Sequence, residues 1–205
     1  MVDEMWFRER NRWHSTSEVP DLPFQSYEQA QEMLAGEQYG LAIDYTVAND
    51  LAPALGIPFA RALMVLTTSL PIVAMLVSLI AAIAIRNWGL LWGIPVAIAA
   101  VMSGSPVVHR VMGCATVLWV AAIIGCILSA VKGYVTVAWL SAVYSVIVYV
   151  IQVYYHRNAS AVRDYALKSE PVFLYLLERC GAFVDDRKGK RVWSWNHTTE
   201  RPDIR

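Results

Sequence analysis

Two observations predict an all-α integral membrane protein: a bundle of four transmembrane helices with short cytosolic helices and a small C-terminal β-hairpin. First, no Asp or Glu lies between Asp50 and Asp164, although the chain of 205 residues contains 17 acids. Second, cations in this stretch recur every 22 to 25 residues, with nearly continuous apolar sequence between them. About 20 apolar residues cross a bilayer as a helix, so each interval has the length of one crossing. The boundary cations are Arg61, Arg86, Arg110, Lys132 and Arg157.

The bulk composition excludes several other classes of protein. The 17 basic and 17 acidic residues balance, so no basic excess indicates binding to nucleic acid. The three cysteines show no CxxC or Cys/His metal spacing, and we expect no disulfide framework. The first apolar run begins only after residue 60, which is unlike a secretory signal. We therefore expect the first transmembrane helix to act as an uncleaved insertion signal.

The same pattern divides the chain into three segments. We expect residues 1–60 to form a cytosolic helical head, and residues 158–205 to form a cytosolic helix and hairpin. Residues 61–157 form the predicted transmembrane domain, because the apolar runs are concentrated there. The four crossings are expected at about 62–85, 88–108, 111–131 and 134–155.

The head contains the signals of two short helices. Its start, residues 6–13, is rich in Trp and Arg, and we expect it to be mobile. Ser26 followed by Gln29 is a capping-box pattern, which predicts a helix that continues to about Glu37 and is broken at Gly40. Apolar residues that recur every four positions predict the second helix, and they are Ile43, Val47 and Leu51.

The tail changes from a helical to a strand pattern. Ser169 is a suitable N-cap for a helix that begins at Glu170 and ends at Gly181. Two short apolar runs around a polar turn then predict a hairpin over residues 183–195. An isolated hairpin is marginally stable, so we expect it to pack on the head, the bilayer or a partner. From about Asn196 onward we expect a frayed end.

The first span carries a polar, kink-prone patch. A proline inside a membrane helix leaves a backbone carbonyl unbonded, and nearby hydroxyls or water can satisfy that carbonyl. We interpret the patch as a packing kink, with a binding site as the alternative. Its residues are Thr67, Thr68, Ser69 and Pro71.

The second span is short and contains Pro95, which leaves two interpretations. A complete crossing is one, and a re-entrant segment that dips into the bilayer and returns is the other. We favour the complete crossing, because three crossings would leave the two termini on opposite sides of the membrane. The side of the membrane with more cations is expected to be the cytosol. With four crossings, the side of the termini has five cations near the membrane and the opposite side has two, so both termini are predicted to be cytosolic. The first set is Arg61, Arg110, Arg157, Arg163 and Lys168, and the second is Arg86 and Lys132.

The third span contains small residues spaced by fours, which let helix backbones approach closely. Packing within one bundle is the first interpretation of this ladder, and a seam between copies of the chain is the second. Its members are Gly113, Ala121, Gly125, Ser129 and Gly133.

Four residues at the expected cytosolic boundary are candidate contacts for lipid headgroups or a partner, and they are His109, Arg110, His156 and Arg157. No motif predicts a catalytic residue, a cofactor or a metal ion. The apolar stretch contains no carboxylate, which disfavours a proton-coupled transporter. Asn158–Ala159–Ser160 matches a glycosylation sequon, which we attribute to chance on a cytosolic segment.

These observations favour a non-enzymatic accessory, scaffold or regulatory component of a membrane assembly. Its expected partners are the lipid bilayer and either another protein or a second copy that binds through the third transmembrane helix. The alternative is a homo-oligomeric channel or carrier for a small solute or anion, and a lipid-directed enzyme is a third hypothesis. The uncleaved first helix and free cysteines are typical of a bacterial inner membrane, and an organellar membrane is the alternative.

Overall fold

Helices make up most of the chain, and one small antiparallel sheet accompanies them. The computed structural model describes residues 4–104, 115–179, 181–196, 199 and 201–204. The chain divides into two compact units. We call residues 1–60 with 156–205 the terminal unit, and residues 61–155 the apolar unit.

The described helices and strands are numbered here in chain order. The helices are α1 (Glu4–Arg10), α2 (Tyr27–Ala35), α3 (Tyr45–Ala54), α4 (Pro58–Ala84), α5 (Gly93–Gly104), α6 (Ala115–Val131), α7 (Val135–Ala166) and α8 (Glu170–Glu178). Short 3-10 helices cover Thr16–Glu18 and Trp88–Trp92. The strands are β1 (Tyr39–Ile43), β2 (Ala182–Asp186), β3 (Arg191–Asn196) and β4 (Arg201–Ile204).

The sheet joins the two ends of the sequence. Its strand order is β1-β2-β3-β4, and every neighbouring pair is antiparallel. Strand β1 comes from the head and pairs with β2 of the tail, with Leu41 opposite Val184. The β2–β3 turn is closed by Asp186, whose carboxylate accepts hydrogen bonds from the backbone N–H groups of Lys188 and Lys190. The predicted hairpin is therefore the middle of a larger sheet that includes the head.

The mainly helical class is confirmed, and the predicted hairpin is part of a four-stranded antiparallel sheet among the described residues. Two local expectations are wrong. Ile43 belongs to β1, and the second head helix begins only at Tyr45, after the cap residue Asp44. Arg201–Ile204, in the segment expected to fray, form β4. Strand β1 depends on the distant strand β2, about which a local pattern contains no information, whereas β4 pairs with its neighbour in sequence, β3.

The local helix signals are confirmed. The Ser26 hydroxyl accepts a hydrogen bond from the backbone N–H of Gln29, and α2 follows directly. Helix α8 begins at Glu170 with Pro171 in its first turn, as predicted, and Ser169 occupies the N-cap position but makes no side-chain capping hydrogen bond. The Ser26 cap joins residues three positions apart, so the sequence alone contains that interaction.

Helix α8 forms the core of the terminal unit. Its residues Val172, Phe173, Leu174, Leu176 and Leu177 are all at most 2% exposed. A helix that is apolar and buried on nearly all sides is a core element, in contrast to a surface helix with one apolar stripe. Burying each such side chain contributes about 1.5–3 kcal/mol, so α8 supplies much of the hydrophobic stabilisation of this unit.

Head residues also bind the backbone at the connection between α7 and α8. The Tyr27 hydroxyl donates to the carbonyl of Ala166 at 2.7 Å, and the Gln31 amide donates to the carbonyl of Leu167 at 2.6 Å. Burial raises the pKa of Tyr27 to about 12, so it remains a donor at neutral pH. On the other side, Glu170 accepts from both the backbone N–H and the hydroxyl of Thr16.

The apolar unit is built on α4, α5, α6 and α7, of which α4 and α7 are long and apolar enough to cross a membrane. The expected spans 88–108 and 111–131 are shorter than predicted among the described residues. The first is a 3-10 turn followed by α5, because Gly93 and Pro95 start a new helix rather than lying inside one. Helix α6 has 17 residues, and residues 105–114 lie outside the described part of the chain.

Large apolar side chains cover the outside of α4. Val65, Ile80 and Ile83 are 60 to 66% exposed. The core helix of a water-soluble domain would bury such residues, because contact with water costs about 25 cal/mol for each Å² of apolar surface. This surface is the kind that a lipid environment tolerates.

Close polar contacts hold the apolar unit together around α7. The Trp139 indole N–H donates to the Ser78 hydroxyl at 3.0 Å, and Ser78 in turn donates to the Ala74 carbonyl. A Cβ atom added to Gly93 would lie only 2.8 Å from Ser78 Cβ and closer still to the hydroxyl. Glycine is therefore required where α5 meets α4 and α7.

The variant Gly93→Ala is expected to destabilise the apolar unit by about 1–3 kcal/mol, because its methyl group has no space beside Ser78. Thermal unfolding of the purified protein in detergent measures this loss. The matched control is Gly125→Ala, whose new Cβ would lie at an ordinary 3.5 Å from the Ser141 hydroxyl. Equal melting temperatures for the two variants would contradict the proposed close approach.

Candidate functional site

The predicted boundary residues are only partly described by the structure. His109 and Arg110 lie outside the described residues. His156 and Arg157 lie on α7, and both are exposed. The structure adds Tyr45, whose hydroxyl lies 3.1 Å from Nδ1 of His156, with the two rings edge-to-face at 5.3 Å. Tyr45 comes from the head, 111 positions away, so no local pattern could have identified it.

These two rings border a small cavity of about 250 Å³, which we call the Tyr45–His156 pocket. Strand β1 contributes an apolar side, and one face of α7 contributes the polar groups of His156, Ser160 and Arg163. Arg163 is half-exposed, and its Nε lies 3.8 Å from the carboxylate of Asp164. Arg157 is not among the lining residues, so the structure separates the two predicted contacts. The full lining is Leu41, Ala42, Ile43, Tyr45, His156, Ala159, Ser160 and Arg163.

A buried amide pair positions the two sides of this pocket. The Asn158 side chain is 0% exposed, and its Nδ2 donates to Oδ1 of Asn49 at 2.8 Å. This hydrogen bond links α3, which begins at Tyr45, to α7, which contains His156. The sequon asparagine is therefore a packing residue in the folded protein, where a glycan has no access to it.

The polar patch of the first span is used within its own helix. The hydroxyls of Thr67 and Thr68 both donate to the carbonyl of Met64, and Ser69 lies 3.5 Å from the carbonyl of Leu66. Pro71 is buried inside α4, which continues through it. The hydroxyls thus bond to carbonyls one turn earlier in the same helix, and two of them share the carbonyl of Met64.

The structure describes four of the five residues of the small-residue ladder. Gly113 lies outside the described residues, and Gly133 lies in the turn after α6, with φ of +76°. Ala121 is exposed, whereas Gly125 faces Ser141 of α7 and Ser129 is buried. At Gly125, the ladder is used for packing inside one chain.

The terminal unit also has an open apolar groove of about 680 Å³ between α1, α3 and α8, which we call the Trp6–Tyr175 groove. The rings of Trp6, Phe7 and Tyr175 contact one another at centroid distances of 5.0 to 5.7 Å. Asp50 and Arg179 are the charged residues among its described lining. The remaining lining residues are Val47, Leu51 and Ala54.

The expectation of a mobile N-terminal start is wrong for the residues that form this groove. Residues 4–10 form α1, and Phe7 is 1% exposed against the aromatic ring of Tyr175. The guanidinium of Arg10 lies 4.2 Å from the centre of the Trp6 ring. A signal was present in the sequence, because Trp6 and Phe7 are large apolar residues in an otherwise charged segment.

A third cavity, of about 240 Å³, lies on the sheet and is polar. Burial raises the pKa of Asp185, the neighbouring Arg191 lowers it in part, and Asp186 raises it further. Within the described residues, no group of three or more His, Cys, Asp or Glu side chains is arranged to hold a metal ion.

Comparison with protein families, with curated proteins and with solved structures finds no match to this chain. The candidate functional features of this chain are therefore the Tyr45–His156 pocket, the Trp6–Tyr175 groove and the apolar helices.

Replacing Phe7 with Ala is expected to destabilise the terminal unit by about 3–5 kcal/mol, because the buried ring holds α1 against α8. Chemical denaturation followed by tryptophan fluorescence measures the change. Met5→Ala is the control, since Met5 lies on the same helix and is 62% exposed. If the two variants unfold at the same denaturant concentration, α1 is not docked as described.

The variant Asp185→Asn is expected to raise the melting temperature at pH 7, because burial disfavours the charged carboxylate of Asp185. A carboxyl with a raised native pKa costs stability as the pH rises through the interval between its ordinary and native values. The advantage of the variant should therefore shrink as the pH falls below the ordinary aspartate pKa. Melting curves across this pH range measure it.

Glu28→Gln provides a control of opposite sign for the aspartate experiment. Hydrogen bonds from its own backbone N–H and from Ser26 lower the pKa of Glu28, so its charged form stabilises the fold. This variant should lose stability at neutral pH and match the wild type in acid. A parallel response of the two variants to pH would contradict the assignment for Asp185.

Proposed function

We propose that this protein is a non-enzymatic, multi-pass membrane scaffold whose two ends form one partner-binding unit on the cytosolic side. The observation that supports it is the composition of the terminal unit, which takes residues from both 1–60 and 156–205. The apolar residues between them leave this unit and return to it. If they enter a bilayer, they cross it an even number of times.

Four crossings remain our proposal for the apolar unit, on the basis of helix length. Helices α4 and α7 have 27 and 32 residues, which exceeds the roughly 20 that a bilayer requires. The shorter apolar segments Trp88–Gly104 and α6 each have 17 residues, or about 26 Å as α-helix. A bilayer adapts to a deficit of a few Å by thinning. In the alternative arrangement α4 and α7 cross the bilayer, and the two shorter segments enter it and return to the same side. The number of crossings is then two, which is also even.

The Trp6–Tyr175 groove supports the scaffold function. It is open and mainly apolar, and aromatic residues are enriched in the core of protein interfaces. A groove of this kind accepts the apolar face of an amphipathic helix, and Asp50 and Arg179 can select the charges that flank that face. The partner we propose is thus a helical segment of another membrane-associated protein.

The other hypotheses receive less support. The hypothesis of a channel or carrier depended on self-association through the ladder around Gly125. That residue faces α7 of the same chain. The stretch between Asp50 and Asp164 has no carboxylate that could carry protons or bind a cation. The bias of boundary cations supports a cytosolic location for both termini. The membrane we propose is a bacterial inner membrane, on the basis of the uncleaved first helix and the free cysteines.

Tags at the two termini are expected to be labelled from the same, cytosolic face of the membrane. Intact and permeabilised cells expressing the full chain distinguish the two faces. Labelling of the two ends from opposite faces would overturn the even number of crossings. Recovery of the intact chain from the soluble fraction without detergent would overturn the membrane assignment.

Partner binding is tested by purifying the full chain together with its bound proteins from cells that express it. The variant Ala54→Arg places a charge in the Trp6–Tyr175 groove. Ala35→Arg is the matched control, because each alanine is the exposed last residue of a short helix in the terminal unit. Native mass measurement of the purified complex should show loss of the partner only for Ala54→Arg. Retention in both variants, or loss in both, would contradict the groove as the binding surface.

A further inference from the structure

We propose that the Tyr45–His156 pocket binds a phosphate group, carried either by an anionic lipid headgroup or by a soluble phosphate. The lipid source rests on the proposed membrane function, because it requires the pocket to lie at the membrane surface. The pocket itself is a feature of the terminal unit alone, since all eight lining residues belong to that unit. The two parts of the proposal can therefore be tested separately.

The helix places three hydrogen-bond donors in one line. His156, Ser160 and Arg163 are at positions i, i+4 and i+7 of α7, so they lie on one face over about 10 Å. Tyr45 approaches the first of them from the start of α3. Donors of these types, with a guanidinium among them, are those that proteins use to bind phosphate.

The hydrogen bond between Tyr45 and His156 occupies one of the two ring nitrogens. Nδ1 of His156 lies 3.1 Å from the Tyr45 hydroxyl. When the Tyr45 hydroxyl donates to Nδ1, or when the imidazole is protonated, Nε2 carries a proton and can donate to an anion. In the other neutral tautomer Nδ1–H donates to Tyr45 and Nε2 is an acceptor, so the proposal requires one of the first two states.

The described lining of the pocket favours an anion over a cation, because it contains one guanidinium and no carboxylate. The acids nearest in sequence are Asp44, which is bonded to the backbone N–H of Thr46, and Asp164, which lies 3.8 Å from Arg163. Glu37 and Asp186 line a neighbouring cavity that also contains Arg163. The apolar side formed by β1 lowers the local dielectric constant and strengthens the attraction between Arg163 and an anion.

The size of the pocket limits the ligand to a single small group. Sites for drug-sized ligands are about 300–1,000 Å³, and this cavity of about 250 Å³ is smaller. The lipid source is proposed because His156 directly follows Tyr155, the last residue of the apolar unit, in the sequence.

The test uses the full-length protein in lipid nanodiscs of phosphatidylcholine, with and without phosphatidic acid, and native mass spectrometry to count retained lipids. Arg163→Gln is expected to reduce retention of phosphatidic acid about tenfold, because a charge-assisted contact of about 1.4 kcal/mol is lost. Lys188→Gln removes a cation in the exposed β2–β3 turn and should retain lipid like the wild type. Tyr45→Phe, which removes only the hydroxyl, should also reduce retention.

Arg157→Gln distinguishes a defined pocket from general attraction to a charged membrane. Arg157 lies on the same helix and nearer to the apolar unit, but it does not line the pocket. A loss with Arg157→Gln equal to or greater than that with Arg163→Gln would overturn the proposal. Unchanged retention in Arg163→Gln would also overturn it.

A second arm identifies the source of the phosphate. Inorganic phosphate is titrated into the detergent-solubilised protein, and binding is followed by calorimetry with Arg163→Gln as the comparison. Binding in both arms, or in this arm alone, supports a site for free phosphate, and binding of phosphatidic acid alone supports a headgroup site. Absence of binding in both arms, with protein incorporated in the nanodiscs, overturns the pocket and leaves the scaffold intact. Failure to incorporate overturns the membrane function instead.

Discussion

Pairing between β1 and β2 is the interaction on which the architecture depends, because it joins the head of the sequence to its tail. Leu41 lies opposite Val184, and both side chains are buried in one core together with α8. Hydrogen bonds from Tyr27 and Gln31 to the end of α7 reinforce the same connection. Buried residues of the head and of the tail belong to one hydrophobic core, so the two ends form a single unit.

The apolar residues 61–155 lie in the sequence between the two parts of the terminal unit, and α4 and α7 contain the two boundaries. Within the apolar unit, the contact of Ser78 with Trp139 beside Gly93 shows how polar groups are satisfied without water. Val143, Ile147 and Val148 of α7 are buried within the unit, whereas Val65, Ile80 and Ile83 of α4 face outward, which is consistent with lipid as their solvent.

Both candidate surfaces belong to the terminal unit, and both combine residues that are distant in sequence. The Trp6–Tyr175 groove combines α1, α3 and α8, and the Tyr45–His156 pocket combines β1, α3 and α7. His156 was predictable as a boundary residue from its position after an apolar run. Its hydrogen-bond partner Tyr45 was not, because a contact across 111 positions has no signature in one sequence. The same holds for the buried pair of Asn49 and Asn158.

The sequence by itself determined the apolar class of the middle segment, the cap at Ser26 and the start of α8 at Glu170. These features depend on composition or on residues a few positions apart, so a short window of sequence contains all the groups involved. Only the tertiary structure decided that Ile43 lies in a strand and that α1 is docked by Phe7. The reason is that strand pairing and core burial depend on partners brought together by the fold, and a local pattern contains no record of them.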